Sequence, residues 1–212
     1  MQEFIVASFG GSGSKFLVKQ ILPFYNHLGS KDPDHFHKHI RNPTMHFSKH
    51  AVKKILFIHS KPSDALQSFF SRRENITRQH GFTPQNIKGN PKWVKIHCHN
   101  LYGRSDKIDE TWDLEKFIAN GEDYLDLEDY VQNWLDFKKQ SVLFIRYEKM
   151  WDNIDTIQKY LGLDDSFKEQ FAPQLPRTSM SNTLSLSLIN SIEKIYSPVT
   201  KLLETLDDVI IR

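Results

Sequence analysis

The segment Phe9-Gly10-Gly11-Ser12-Gly13-Ser14-Lys15 constrains this chain more than any other. It follows the apolar run 4–7 and precedes Phe16, Leu17, Ile21, Leu22 and Phe24 at helical spacing. A buried strand therefore runs into a glycine loop that opens a helix. Glycines let consecutive backbone N–H groups curl inward, the hydroxyls of Ser12 and Ser14 add donors, and the helix N-terminus adds partial positive charge. Lys15 in a first helical turn opposes the helix dipole unless an anion lies beside it. A flexible Gly/Ser turn is the plainer reading of the same residues, and the strand–loop–helix context favours the anion site. The loop is not a complete Walker A motif, because Lys15 is followed by Phe16 where Ser or Thr would bind magnesium. A magnesium-dependent kinase or hydrolase is disfavoured, and no metal is expected.

Further along, Lys54–His59 and Ser141–Tyr147 read as two more buried strands. Helices are expected from Pro62 and Asp64 through Phe70, around Tyr130–Leu135, over Met150–Leu161 with a stop at Gly162, and over Leu188–Leu206 with a kink at Pro198. Strands apolar on both faces, alternating with helices, predict an α/β fold of three α/β/α layers around a mostly parallel sheet. One domain over 1–212 is expected. Residues 83–110 are polar and lack periodicity, so 83–120 is the expected acceptor-side loop or lid.

With 39% hydrophobic residues in 212, the chain has enough apolar material for one sizeable core. A net charge of +2 gives no global field that would argue for nucleic acid or a membrane surface. The single cysteine, Cys98, excludes an internal disulfide framework. No apolar run approaches the ~20 residues of a transmembrane helix, and Met1–Val6 lacks the pattern of a signal peptide. The expectation is a cytoplasmic protein with a small-molecule or carbohydrate acceptor as partner, no nucleic acid or membrane partner, and a homodimer left open.

Three stretches together resemble the sulfotransferase family. SFGGSGSKFL is similar to its 5′-phosphosulfate loop, usually written PKSGTTWL, with Ser12-Gly13 on the family's Ser-Gly and Ser14, Lys15, Phe16 and Leu17 on Thr-Thr-Trp-Leu. FIHSKPSDALQSFFSRR resembles the 3′-phosphate segment RNPKDVAVSYYHF, with Pro62, Asp64, Ser68, Phe69 and Phe70 on its Pro, Asp, Ser and paired aromatics. The stretch from Trp134 to Leu163 is similar to the family's VLFLRYEDL and FLGL pattern, Arg146-Tyr147-Glu148 being the most literal match. The last helix is also similar to that of small bacterial members.

The resemblance implies a P-loop-like architecture and 3′-phosphoadenosine 5′-phosphosulfate as co-substrate, without a metal. It implies nucleotide contacts at Gly10, Gly11, Ser12, Gly13, Ser14, Lys15, Phe16, Ser60, Lys61, Ser68, Arg72 and Arg177. Two departures stand out: Gly11 replaces the family's loop Lys or Arg, and Ser60 replaces its Arg. Lys15 and Lys61 stand close by as replacement charges, so Lys15 is expected to act in catalysis.

Transfer also needs a base for the acceptor proton, and histidine suits neutral pH. The family often carries it in a Lys-Thr-His segment. His46, in Thr44-Met45-His46-Phe47, is the first candidate, with His97 and His99 second. Arg146 with Glu148, two residues apart on one strand face, is expected to form a structural ion pair. Trp134 and Trp151 are expected in the core. The expected activity is sulfuryl transfer to an acceptor hydroxyl or amine. The alternatives are a small-molecule or nucleoside kinase and a non-catalytic nucleotide-binding module.

Overall fold

The computed structural model describes residues 2–25, 32, 35–68, 70, 112–175 and 184–212. The chain divides into two compact units, one formed by Met1–Ser60, Asn133–Pro176 and Glu204–Arg212, the other by Lys61–Gln132 and Arg177–Leu203. The fold is mixed α/β, as expected, with a mostly parallel sheet.

The first unit holds the sheet. Its strands are β1 (Gln2–Ala7), β2 (His37–Lys38), β3 (Val52–His59), β4 (Val142–Arg146) and β5 (Val209–Ile211), in the spatial order β2-β1-β3-β4-β5. The first four are mutually parallel; β5 runs antiparallel beside β4. The chain leaves β1 for β2 on one side and returns to β3 on the other. Strand order therefore reverses at β1, the switch point where open α/β sheets leave a crevice beyond the strands' carboxyl ends.

Three strands lie where the apolar runs place them, and both sheet faces are buried. Phe4, Val6, Leu56, Ile58, Leu143 and Ile145 pack in one cluster with Leu17, Val18, Ile21, Ile157, Leu161 and Phe167. Each such side chain taken out of water contributes roughly 1.5–3 kcal/mol before entropy is counted. On the other face the Phe57 ring lies 5.0 Å from Trp134 and 5.4 Å from Phe144. Trp134 is fully buried and donates its indole N–H to the Ile40 carbonyl at 2.8 Å, which bears out its core placement. Trp151 is only half-buried, with its indole N–H on the Ala172 carbonyl at 2.9 Å.

Several boundaries differ from the sequence expectation. The expected helix Met150–Leu161 begins only at Ile154, after two 3₁₀ turns, Tyr147–Lys149 and Trp151–Asn153. It stops as expected at Gly162, with φ of 70°. Arg146 pairs with Asp208 at 3.3 Å. Its strand ends there and Glu148 lies on a 3₁₀ turn, so the same-face spacing behind the Arg146–Glu148 expectation does not apply.

In the second unit a helix covers 62–68 and another, Leu114–Ala119, is capped by Asp113, whose carboxylate accepts from the Lys116 N–H at 2.8 Å. The last helix, Leu186–Glu204, runs through Pro198 and buries Ile192, Tyr196, Val199 and Leu203. No helix among the described residues is long and apolar enough to cross a membrane.

Asp123 gives this unit a pH signature. Its carboxylate accepts from the Leu127 N–H at 2.7 Å and the Leu125 N–H at 3.0 Å. Burial nevertheless raises its pKa to about 6, against the lowering effect of these N–H groups and of Tyr196. The unfolded carboxyl titrates near 3.9, so between pH 4 and 6 the folded state binds the proton more tightly. Asp123 therefore contributes stability below pH 4 that is lost as pH rises to 6. The Asp123→Asn variant should gain on the parent across that window, by on the order of 2 kcal/mol in urea unfolding. A difference that stays constant with pH would overturn this.

Candidate functional site

The glycine loop takes the geometry its sequence implies. Gly10, Gly11 and Gly13 have φ of 91°, 65° and 75°, values that side chains with a Cβ rarely adopt. Gly13 is the N-cap of the helix Ser14–Ile21, and no side chain caps that helix. Helices usually satisfy their first N–H groups with a side-chain cap, and a helix start without one is suited to an anion. A Cβ on Gly13 would lie 2.1 Å from Cε2 of Tyr147, so glycine is required there by space as well as by φ.

Four serines brace the loop. Ser8 donates to the Ser14 hydroxyl at 3.0 Å and accepts from the Gly10 N–H at 3.2 Å. Ser12 donates to the Gly10 carbonyl at 3.0 Å. Ser60, at the end of β3, donates to the Ser12 hydroxyl at 3.3 Å. The structure thus joins Ser60 to the loop through a neutral contact. Ser8 holds this arrangement together; it opens the stretch SFGGSGSKFL, and the sequence reading gives it no role.

Lys15 is exposed in the first helical turn. The Phe16 ring is half-buried, 5.5 Å from Trp151 and 6.0 Å from Phe171, so this position serves packing instead of offering a hydroxyl.

His39 touches the residue that leads into the loop. Its Nδ1 lies 2.9 Å from the Ser8 carbonyl oxygen, just beyond β2 and beside β1. A carbonyl only accepts, so Nδ1 carries the hydrogen and the basic lone pair falls on Nε2. Such a bond fixes ring and tautomer, as a general base requires. His46 stands on the short helix Pro43–Phe47, half-buried, with its ring against Phe47 at 5.0 Å and His50 at 4.8 Å.

His59 is the last residue of β3, at its carboxyl end. It is 1% exposed, and its Nε2 has no hydrogen-bond partner among the described residues. Burial, helped by the Arg146 charge on the neighbouring strand, pushes its pKa down to about 3, so the ring is neutral at ordinary pH.

Of the other expected contacts, Lys61 and Ser68 belong to the second unit, Lys61 exposed just ahead of the helix 62–68 and Ser68 buried on it. Arg72, Arg177, His97, His99, Cys98 and the stretch 83–111 lie outside the described residues. A separate groove of about 670 Å³, lined by Lys53, Lys54, Ser141, Lys159 and Tyr160, contains none of the residues expected to contact the nucleotide.

No protein-family model matches the chain, and neither a curated protein nor a solved structure matches it.

Proposed function

We propose that the chain transfers a sulfuryl group from 3′-phosphoadenosine 5′-phosphosulfate to an acceptor hydroxyl or amine, on a P-loop-like α/β/α architecture. The observation that carries this reading is the glycine loop. It has three glycines at positive φ and an uncapped helix start, and it lies at the switch point of a mostly parallel sheet. Phe16, turned to packing, argues against magnesium chemistry, and β3 ends in His59 where a kinase of this type would carry an acidic residue. The joint order of the three sequence stretches adds the sulfuryl donor.

In the reaction the acceptor oxygen or nitrogen forms a bond to sulfur, the bond from sulfur to the phosphate oxygen breaks, and the bisphosphate leaves. The acceptor proton goes to His39 Nε2. The loop N–H groups and Lys15 stabilise the charge on the transferring group and the leaving phosphate.

A non-catalytic nucleotide-binding module is the second reading. It is favoured by the neutral Ser60–Ser12 contact where the family places charge.

Calorimetric titration separates these readings. Adenosine 3′,5′-bisphosphate should bind without metal and more tightly than ATP with magnesium. Lys15→Ala should weaken binding or turnover at least tenfold, ~1.4 kcal/mol. Tighter, magnesium-dependent binding of ATP would sink the proposal in favour of a kinase. Nucleotide binding without transfer to any acceptor would leave the binding module.

A further inference from the structure

The nitrogen of His59 is a polar atom with no structural employment. It lies at the end of β3, next to Ser60, whose hydroxyl joins the glycine loop at Ser12. The β1–β3 pairing runs as far as Ala7↔Phe57, two residues before His59, and the glycine loop follows directly after β1. On its other side it is paired in register with Arg146, itself engaged with Asp208. The Phe57 ring lies 6.4 Å away on the same face. A buried nitrogen without a partner costs stability, and an apolar side chain of similar size would fill the position better.

We propose that His59 Nε2 is a ligand contact, which hydrogen-bonds an uncharged hydroxyl of a molecule held at the glycine loop. This rests on the sulfuryl-transfer reading and adds a contact that the sequence motifs do not contain. The chemistry of the site selects the class of group. The imidazole is neutral and Arg146 opposes its protonation, so it offers a phosphate or sulfate no charge. A hydroxyl both donates and accepts, and so matches either tautomer of the ring. Two hydroxyls qualify: the ribose 2′-hydroxyl of the nucleotide and the hydroxyl of the acceptor.

The experiment is a titration of ¹⁵N-labelled protein, following the His59 imidazole nitrogens and the backbone amides of Gly10–Ser14 together. The His59 signal is assigned from its loss in His59→Leu. The probes are adenosine 3′,5′-bisphosphate, its 2′-deoxy analogue, and then phenol, glucose and serinamide added to the nucleotide complex. Loop amides and His59 Nε2 are expected to shift. A shift with the ribonucleotide but not the deoxy analogue identifies the ribose hydroxyl. A shift only after a hydroxyl probe is added identifies the acceptor.

Equal shifts with both nucleotides, or loop amides that move while His59 stays still in every arm, overturn the proposal and leave the sulfuryl reading standing. No change anywhere overturns both. His59→Leu should also melt at higher temperature than the parent while binding the effective probe about tenfold more weakly. Unchanged affinity in that variant counts equally against the contact.

Discussion

Gly13→Ala is expected to destabilise the protein by roughly 3 kcal/mol or more, through two separable effects. The backbone at this position has φ of 75° and ψ of 11°, the left-handed region, where a Cβ costs about 1–2 kcal/mol. The new methyl would also fall 2.1 Å and 2.3 Å from two atoms of the Tyr147 ring. That ring is not free to swing away at no cost, because it packs edge-on against Trp151 at 5.3 Å, and Trp151 is tied to the Ala172 carbonyl. Forcing a methyl into such a contact typically costs 1–3 kcal/mol. Urea unfolding of Gly13→Ala, Tyr147→Ala and the double variant separates the parts. The double variant should recover the steric part and retain the backbone part. A single-variant cost below about 0.5 kcal/mol would mean that the loop does not pass beneath Tyr147.

The same residues show how far the sequence could be read. Glycine is legible because it reports backbone geometry directly, and the spacing Gly10, Gly11, Gly13 between an apolar run and a helical pattern leaves few other structures. The strands β1, β3 and β4 are legible because burial on both faces writes itself as an unbroken apolar run. The sheet edges are not. With two residues, His37–Lys38 cannot show a period of two, and Val209–Ile211 looks like the tail of the preceding helix.

His39 was lost with β2. Within His35-Phe36-His37-Lys38-His39-Ile40 no residue stands out until the strand places one of them against Ser8. His46 drew attention instead because it precedes β3 in sequence, although its ring packs against Phe47 and His50. Arg146 forms an ion pair as expected, but its partner is Asp208 and not Glu148, for a related reason. The strand period was extended two residues past the point where the chain turns into a 3₁₀ helix, and Asp208, the true partner, is remote in sequence.

The second large effect is expected at His39. Asparagine is the informative replacement, since its amide nitrogen overlays Nδ1 and can still donate to the Ser8 carbonyl, while the basic Nε2 is gone. His39→Asn should therefore leave the fold and nucleotide affinity within about threefold of the parent. The rate of sulfuryl transfer should fall 10²–10⁴-fold, the usual consequence of removing a general base. The acid limb of the pH–rate profile should disappear with it, a change that loss of packing alone does not produce. His39→Ala tests the other half of the role. It removes both the base and the bond to Ser8, so loop order and nucleotide affinity should suffer as well as rate. His46→Ala is the control, expected to turn over like the parent because its ring packs against Phe47 and His50. If His46→Ala loses transfer while His39→Asn does not, His46 is the base, and the bond from His39 to Ser8 only braces the loop.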